Sequence, residues 1–439
     1  MMQTILLFGA GKSATVLIDY LLHEAENNDW EVIVADNDAA LAQSKVGHSP
    51  RGRAVSFDIH QDLQRHQYIQ QADIVISLLP PSLHFLVAKD CVRFSKNLLT
   101  ASYVDNAIRE LANDITDRNL LFLCEMGLDP GIDHMSAMQV INRVRADAGE
   151  IIAFRSHCGG LVAPESDDNP WHYKISWNPR NIVLAGKAGA HYREKGVEKR
   201  MGYEELFENG RHLQVPGLGE LSWYPNRDSL SYAPLYGLEN TATFIRTTLR
   251  HADFMSGWQK IIALKLTDET PLYETNGRSL QQLFQEHLDR YGFEAVYRLP
   301  ETDLLHRQLT CLGLYDATTF VNKGLCSAAD ILQVALEKKL ALHPADKDMI
   351  VMLHEIEYRS SGQTFLSTSS LLVKGENSLH TAMAKTVGLP LGIAAKLILN
   401  GSLRLTGLHI PTNPIVYEPV LKALADFGIR FQEDIKIIS

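Results

Sequence analysis

Residues 4–8 form an unbroken apolar run that is too short for a helix and stops at a glycine, the pattern of a strand buried on both faces. A helical pattern over 13–26 follows. Further strand-like runs come at 31–35, 54–57, 73–79, 97–100 and 120–124, and helical patterns separate most of them. This alternation predicts an α/β fold with a doubly wound parallel sheet. Beyond Asp129-Pro130-Gly131 the pattern changes. Residues 151–157 read as a strand running into a Cys158-Gly159-Gly160 turn, and 349–358 with 365–373 as an antiparallel pair. Between them, 279–343 has helical spacing, with capping-box starts at Ser279/Gln282 and Ser327/Asp330. An amphipathic stretch, 378–400, leads to the mixed C-terminal segment.

The glycine after the first strand opens Gly9-Ala10-Gly11-Lys12-Ser13-Ala14. In a dinucleotide-binding turn the first glycine permits the bend, the second lets backbone approach the pyrophosphate, and a small third residue packs helix on strand. Alone, such a turn is as often structural as functional. Asp36 ends the second strand, 36 − 9 = 27 residues after the first glycine, where a carboxylate accepts from adenosine-ribose hydroxyls and repels a 2′-phosphate. The expected architecture is a Rossmann domain over 1–130, an α+β substrate domain over 131–390 with an all-helical insert at 278–345, and a segment 391–439 packing back on the first domain. Ligands bind beyond the carboxyl ends of parallel strands, which collects Gly9 to Ala14, Asp36, Asp58, Leu79, Ser102, Tyr103 and residues 125–130 on one edge.

Composition narrows the chemistry. Among 439 residues, 42 are Lys or Arg and 52 Asp or Glu, a formal charge of 42 − 52 = −10. Nucleic acid is therefore not an expected partner. No apolar stretch reaches the ~20 residues of a membrane span, and none is expected. The 5 cysteines include no Cys-x-x-Cys, and the 17 histidines show no ligand spacing, so no metal site is expected. The N-terminus reads as neither a signal nor a transit peptide, which with the cysteines suggests a cytoplasmic protein. The middle of the chain is rich in arginine, tyrosine and tryptophan, including Trp171 to Arg180, Tyr224 to Ser229 and Arg246 with Arg250. Arginine forks suit an anionic small molecule, although a single loop arginine is more often a solvated charge.

Several strings carry a more specific resemblance: Ala101-Ser102-Tyr103, Gly127-Leu128-Asp129-Pro130-Gly131-Ile132-Asp133-His134-Met135, His157-Cys158-Gly159-Gly160, Tyr173-Lys174-Ile175-Ser176-Trp177, Tyr224-Pro225-Asn226-Arg227-Asp228-Ser229 and residues 382–390. In this order, along nearly the whole chain, they resemble the glutamate-forming saccharopine dehydrogenases. The resemblance implies interconversion of saccharopine with glutamate and 2-aminoadipate 6-semialdehyde, using a nicotinamide cofactor. It places cofactor contacts on Gly9, Ala10, Gly11, Lys12, Ser13, Asp36, Asp58, Leu79, Ser102, Leu128, Asp129, Pro130 and Ser176. It places substrate contacts on Ser102, Tyr103, Asp129, Lys174, Arg227, Arg246, Thr248 and Arg250. Tyr103, Asp129 and Cys158 would face the reacting amine, with Cys158 read equally well as a small packed residue.

Two departures bear on specificity. Many relatives that use NADP carry a basic residue where this chain has Asp36-Asn37, so Asp36 favours NAD, with NADP the alternative. Trp171-His172 replace smaller residues before the Tyr-Lys pair. Other readings are a related oxidoreductase acting on another secondary amine, such as carboxynorspermidine, or a non-catalytic NAD sensor. A homodimer is expected, as is usual for such enzymes.

Overall fold

Six of the apolar runs align as parallel strands: β1 (Gln3–Phe8), β2 (Trp30–Asp36), β3 (Gly52–Ser56), β4 (Ile74–Ser77), β5 (Asn97–Thr100) and β6 (Leu121–Leu123). In this computed structural model, which describes residues 2–208 and 210–438, their order is β6-β5-β4-β1-β2-β3. The strand Gly407–His409 adds itself in parallel to the outer side of β6. Strand order therefore reverses between β1 and β4, which is the switch point of a Rossmann sheet. Because all pairings are parallel, every strand delivers its carboxyl end to the same edge.

Three helices of this unit bear on its site and core: α1 (Thr15–Asn27), α2 (His84–Arg93) and α3 (Ile132–Ala146). A fourth, α4 (Ala382–Leu399), returns from far along the chain. It is long and apolar enough to cross a membrane, yet most of it is buried, and glycines set its contact with α1. A Cβ at Gly388 would lie 2.9 Å from the Leu17 backbone nitrogen, and one at Gly392 would lie 2.5 Å from the Tyr20 ring. Apolarity here serves close helix packing within one unit.

Contacts divide the chain into residues 1–148 with 379–432, and 149–378 with 433–439. The expected boundaries at 130 and 390 fall elsewhere, since α3 and α4 both belong with the parallel sheet. The last residues also depart from expectation. Gln432–Ile437 joins the sheet of the second unit beside Gln363–Lys374, whereas the segment before it stays with the first.

The second unit centres on a mixed sheet of ten strands among the described residues. Its middle is β7 (Glu150–Val162), flanked by β9 (Thr243–Arg250) in parallel and β10 (Asp348–Ser360) antiparallel. β8 (Gly219–Pro225) pairs with β9, and β11 (Gln363–Lys374) forms a hairpin with β10 through Ser361-Gly362, both at positive φ. β7 runs straight through Cys158-Gly159-Gly160, which therefore is not the expected turn. Gly159 marks a close approach instead, since a Cβ there would stand 2.7 Å from Leu249 Cβ. Residues 278–345 do carry helices, Leu280–Arg290, Leu304–Cys311 and Ala328–Lys339. Both Ser279 and Ser327 form capping boxes. The insert also holds the short strand Leu325–Cys326, and its apolar faces share one core with Trp171, Tyr173, Phe254 and Trp258.

Candidate functional site

The glycine turn lies between the end of β1 and α1. Gly9 has φ +101, and a Cβ there would come within 2.9 Å of the Leu78 carbonyl oxygen. Gly11 has open space where its Cβ would be, leaving room for a ligand against the backbone at the helix N-terminus. Lys12 is exposed beside it and Ser13 half-buried. Asp36, at the tip of β2, turns back to this loop: its Oδ2 accepts from the Ala10 N–H at 2.7 Å and its Oδ1 from the Asp38 N–H at 3.0 Å. A carboxylate offers about four lone-pair positions, so both oxygens can still accept from ribose hydroxyls. Asp58 stands exposed beyond β3, accepting from the His60 N–H at 2.9 Å. The loop thus offers a dinucleotide a glycine cradle and a helix N-terminus, with the Asp36 carboxylate beside them.

Across the switch point, Leu79 is partly buried against the core that includes Phe8 and Phe57. Ser102 and Tyr103 follow β5, and Leu128 to Pro130 follow β6. The Tyr103 hydroxyl donates to Asp129 Oδ1 at 3.0 Å, both side chains being half-buried. The Asp129-Pro130 peptide is cis, with Leu128 and Pro130 buried around it. Two strand ends far apart in sequence therefore place a phenol and a carboxylate in direct contact.

Sequence reasoning missed what supports this pair. Glu125 is buried at φ 57; its Oε1 accepts from the Val104 N–H at 3.1 Å, and its Oε2 lies 2.8 Å from His134 Nε2. Asp133 Oδ1 accepts from the Gly131 N–H at 2.6 Å. These groups on and beside α3 grip the loops on either side of Tyr103 and Asp129. His134 lies within the family string Gly127 to Met135 and Glu125 just ahead of it, but nothing in their spacing says that a helix would bring the histidine back to the glutamate.

His84 was missed as well. It opens α2, is 2% exposed, and joins Ser77 Oγ at 2.8 Å through Nδ1 to Ser102 Oγ at 2.7 Å through Nε2. Burial pushes its pKa down to about 4, so the ring is neutral near pH 7.

In the second unit, alternation along β9 turns Arg246, Thr248 and Arg250 to one face. Register puts Thr248 beside Cys158 on one side and Tyr224 on the other. Arg250 is buried, with its guanidinium 5.2 Å from the Tyr173 ring centre and 5.4 Å from that of Phe254. Its Nη1 donates to the Leu249 carbonyl at 2.8 Å, while its buried Nε has no hydrogen-bond partner among the described residues. A buried cation that pairs with carbonyls and rings, and with no carboxylate among the described residues, is suited to an incoming anion. Arg246 is also buried, 4.5 Å over Tyr232. Arg227 is exposed at φ 50 in the short strand Arg227–Asp228.

Two expected ligands look different in place. Lys174 is buried, and its Nζ donates to Asp168 at 2.8 Å and Asp346 at 2.7 Å. It ties its segment to the loop before β10, and its charge is met by these two carboxylates. Ser176 is buried next to Ile175, whose N–H donates to the Leu340 carbonyl at 2.7 Å. Cys158 is 6% exposed inside β7, a packed position rather than a loop tip.

On the opposite face of the sheet, His157 contacts Thr247 Oγ1 at 2.7 Å and Glu355 Oε2 at 3.2 Å. The hydrogen bond from His157 holds Glu355 below the ordinary carboxylate range. No group of three or more His, Cys, Asp and Glu able to hold a metal occurs among the described residues.

Comparison with known proteins matches both units. Residues 5–123 match the family model for the saccharopine dehydrogenase NADP binding domain, and 127–429 that for the saccharopine dehydrogenase C-terminal domain. The chain is 32% identical to the saccharopine dehydrogenase (NADP(+), L-glutamate-forming) of Saccharomyces cerevisiae, over 98% of this chain and 99% of that one. It is 34% identical to the alpha-aminoadipic semialdehyde synthase of Arabidopsis thaliana, over 93% of this chain but 41% of that longer protein. The solved apo saccharopine dehydrogenase (L-Glu forming) from Saccharomyces cerevisiae superposes with a TM-score of 0.86 at 30% identity, covering 99% of this chain and 100% of that one. The chain belongs to the saccharopine dehydrogenase family.

Proposed function

We propose that this protein is a glutamate-forming saccharopine dehydrogenase, an oxidoreductase of lysine metabolism. The observation that carries this reading is its end-to-end similarity to enzymes of that name, across both the dinucleotide-binding unit and the unit bearing the arginine face. In the oxidative direction, saccharopine, oxidised cofactor and water become glutamate, 2-aminoadipate 6-semialdehyde, reduced cofactor and a proton. A bound nicotinamide dinucleotide supplies the hydride acceptor.

The chain's own groups do the rest. Asp129 accepts a hydrogen bond from the secondary amine and turns its lone pair toward the carbon losing hydride, while the Tyr103 hydroxyl holds the carboxylate in place. The C=N bond that forms is attacked by water, and the C–N bond then breaks to release glutamate. Cys158 or bound water carries the protons of this hydrolysis. Arg250, Arg246 and Arg227 pair with the three carboxylates of saccharopine.

For the cofactor, Asp36 favours NAD by repulsion of a 2′-phosphate, in contrast to the NADP(+) named for the yeast enzyme. The quaternary state proposed is a homodimer, tested by sedimentation. The deciding assay gives purified protein saccharopine with NAD and with NADP side by side and follows absorbance of the reduced cofactor. Growth is expected with both, faster with NAD at low concentration. No growth with saccharopine, but growth with another secondary amine such as carboxynorspermidine, would overturn the substrate.

A further inference from the structure

The buried chain Ser77–His84–Ser102 has a direction that its hydrogen count fixes. Ser77 is fully buried at the end of β4, and the His84 ring is the one hydrogen-bond partner of its hydroxyl among the described residues. A hydroxyl donates one hydrogen and accepts at two lone pairs. If His84 Nδ1 carried the proton and donated to Ser77, the Ser77 hydrogen would be buried with no acceptor, at a cost of about 1–3 kcal/mol. Ser77 therefore donates to Nδ1, and the neutral ring carries its proton on Nε2. Nε2–H then donates to Ser102 Oγ at 2.7 Å. Ser102 is the half-buried end of the chain, and its own hydroxyl hydrogen is left to point outward.

We infer that His84 is a positioning residue that fixes Ser102 as a hydrogen-bond donor to an acceptor oxygen in the nicotinamide half of the dinucleotide, on its ribose or carboxamide. The location follows from the sheet. Asp36 on β2 marks the adenosine side of the switch point, so the other half of the ligand lies over the ends of β4 and β5, where Ser77 and Ser102 sit. The low basicity of the ring keeps it from taking a second proton, which would make Nδ1 a donor and turn Ser77 away. This inference rests on the dinucleotide binding proposed for the family reading.

The test is fluorescence titration of the full-length protein with NADH and NADPH. His84→Leu and Ser102→Ala should each weaken binding roughly three- to tenfold, the worth of one hydrogen bond, and the double variant no further than either. His84→Gln should bind nearly as wild type, because an amide carries an acceptor and a donor in one plane, as the ring does. Ser77→Ala frees the ring to take either tautomer and should weaken binding in the same direction, though Ser77 is too buried to meet a ligand. That variant is the safeguard if His84→Leu folds poorly, which a thermal melt reports. Additive losses in the double variant, or wild-type binding by both His84→Leu and Ser77→Ala, would overturn the inference and leave the function standing. Absence of dinucleotide binding by the wild-type protein would overturn both.

Discussion

Tyr103 and Asp129 meet at 3.0 Å although they leave different strands of the sheet and are 26 positions apart. Their contact unites the ends of β5 and β6. Removing the carboxylate charge should impair chemistry more than binding. Asp129→Asn is expected to lower kcat by roughly 10²-fold, at the lower end of what a positioned acid–base group contributes, with dinucleotide affinity unchanged. Tyr103→Phe should lower it less, since the carboxylate remains. Steady-state kinetics alongside cofactor titration checks this, and an equal loss of cofactor affinity would assign Asp129 to the dinucleotide instead.

Asp36 joins cofactor choice to the shape of the glycine turn. Asp36→Ala should weaken NAD by roughly tenfold or more, the scale of a hydrogen bond to a charged group, and NADP by much less. Since the Ala10 N–H also loses its partner, a small loss for both cofactors is expected beneath that difference. Equal losses for NAD and NADP would remove the ribose role and leave the loop contact alone.

Lys174 should matter to stability more than to substrate. Burial alone would lower its pKa, but hydrogen bonds to Asp168 and Asp346 outweigh this and raise it. Its contribution is therefore complete below the ordinary lysine value and is lost only as pH rises through the higher folded one. Lys174→Met should cost roughly 1–3 kcal/mol in denaturant unfolding, less than the 3–5 of a fully buried pair because Asp168 is half exposed. The Michaelis constant for saccharopine should stay near wild type, and a large rise would return Lys174 to the substrate.

His84 predicts a pH signature. Its folded pKa, about 4, lies below its ordinary 6.5, so the unfolded chain takes up the proton first. Stability from the neutral ring is complete above pH 6.5 and falls as pH drops toward 4, by up to roughly 3 kcal/mol. Unfolding of wild type and His84→Gln across that range should show the steeper acid loss in wild type. Parallel curves would mean that the ring is protonated in the folded protein.

The α1–α4 contact should tolerate no added carbon. Alanine at Gly388 gains up to about 1 kcal/mol of helix propensity, but its Cβ would meet Leu17 at 2.9 Å, backbone included. Overpacking of this kind costs about 1–3 kcal/mol, so the net effect of Gly388→Ala should be destabilising, and that of Gly388→Val more so. A melt at or above the wild-type temperature would show that the two helices can separate without cost.

The sequence by itself determined the alternating strands and helices, the glycine turn, the acid at the tip of β2 and the two capping boxes. Each depends on residues near one another along the chain, where spacing alone fixes geometry. Strings such as Gly127 to Met135 also carried the family. What tertiary structure decided depends on partners distant in sequence. Cys158 to Gly160 reads as a turn until Leu249 approaches Gly159 from a neighbouring strand, and Lys174 reads as a free cation until Asp346 closes on it. α4 reads only as an amphipathic stretch until Leu17 and Tyr20 close on its glycines. His84 had no signal at all, because its meaning lies in two hydroxyls, Ser77 and Ser102, that the parallel pairing of β4 and β5 brings to either side of its ring. Local spacing writes elements, and only packing decides which buried polar group answers which.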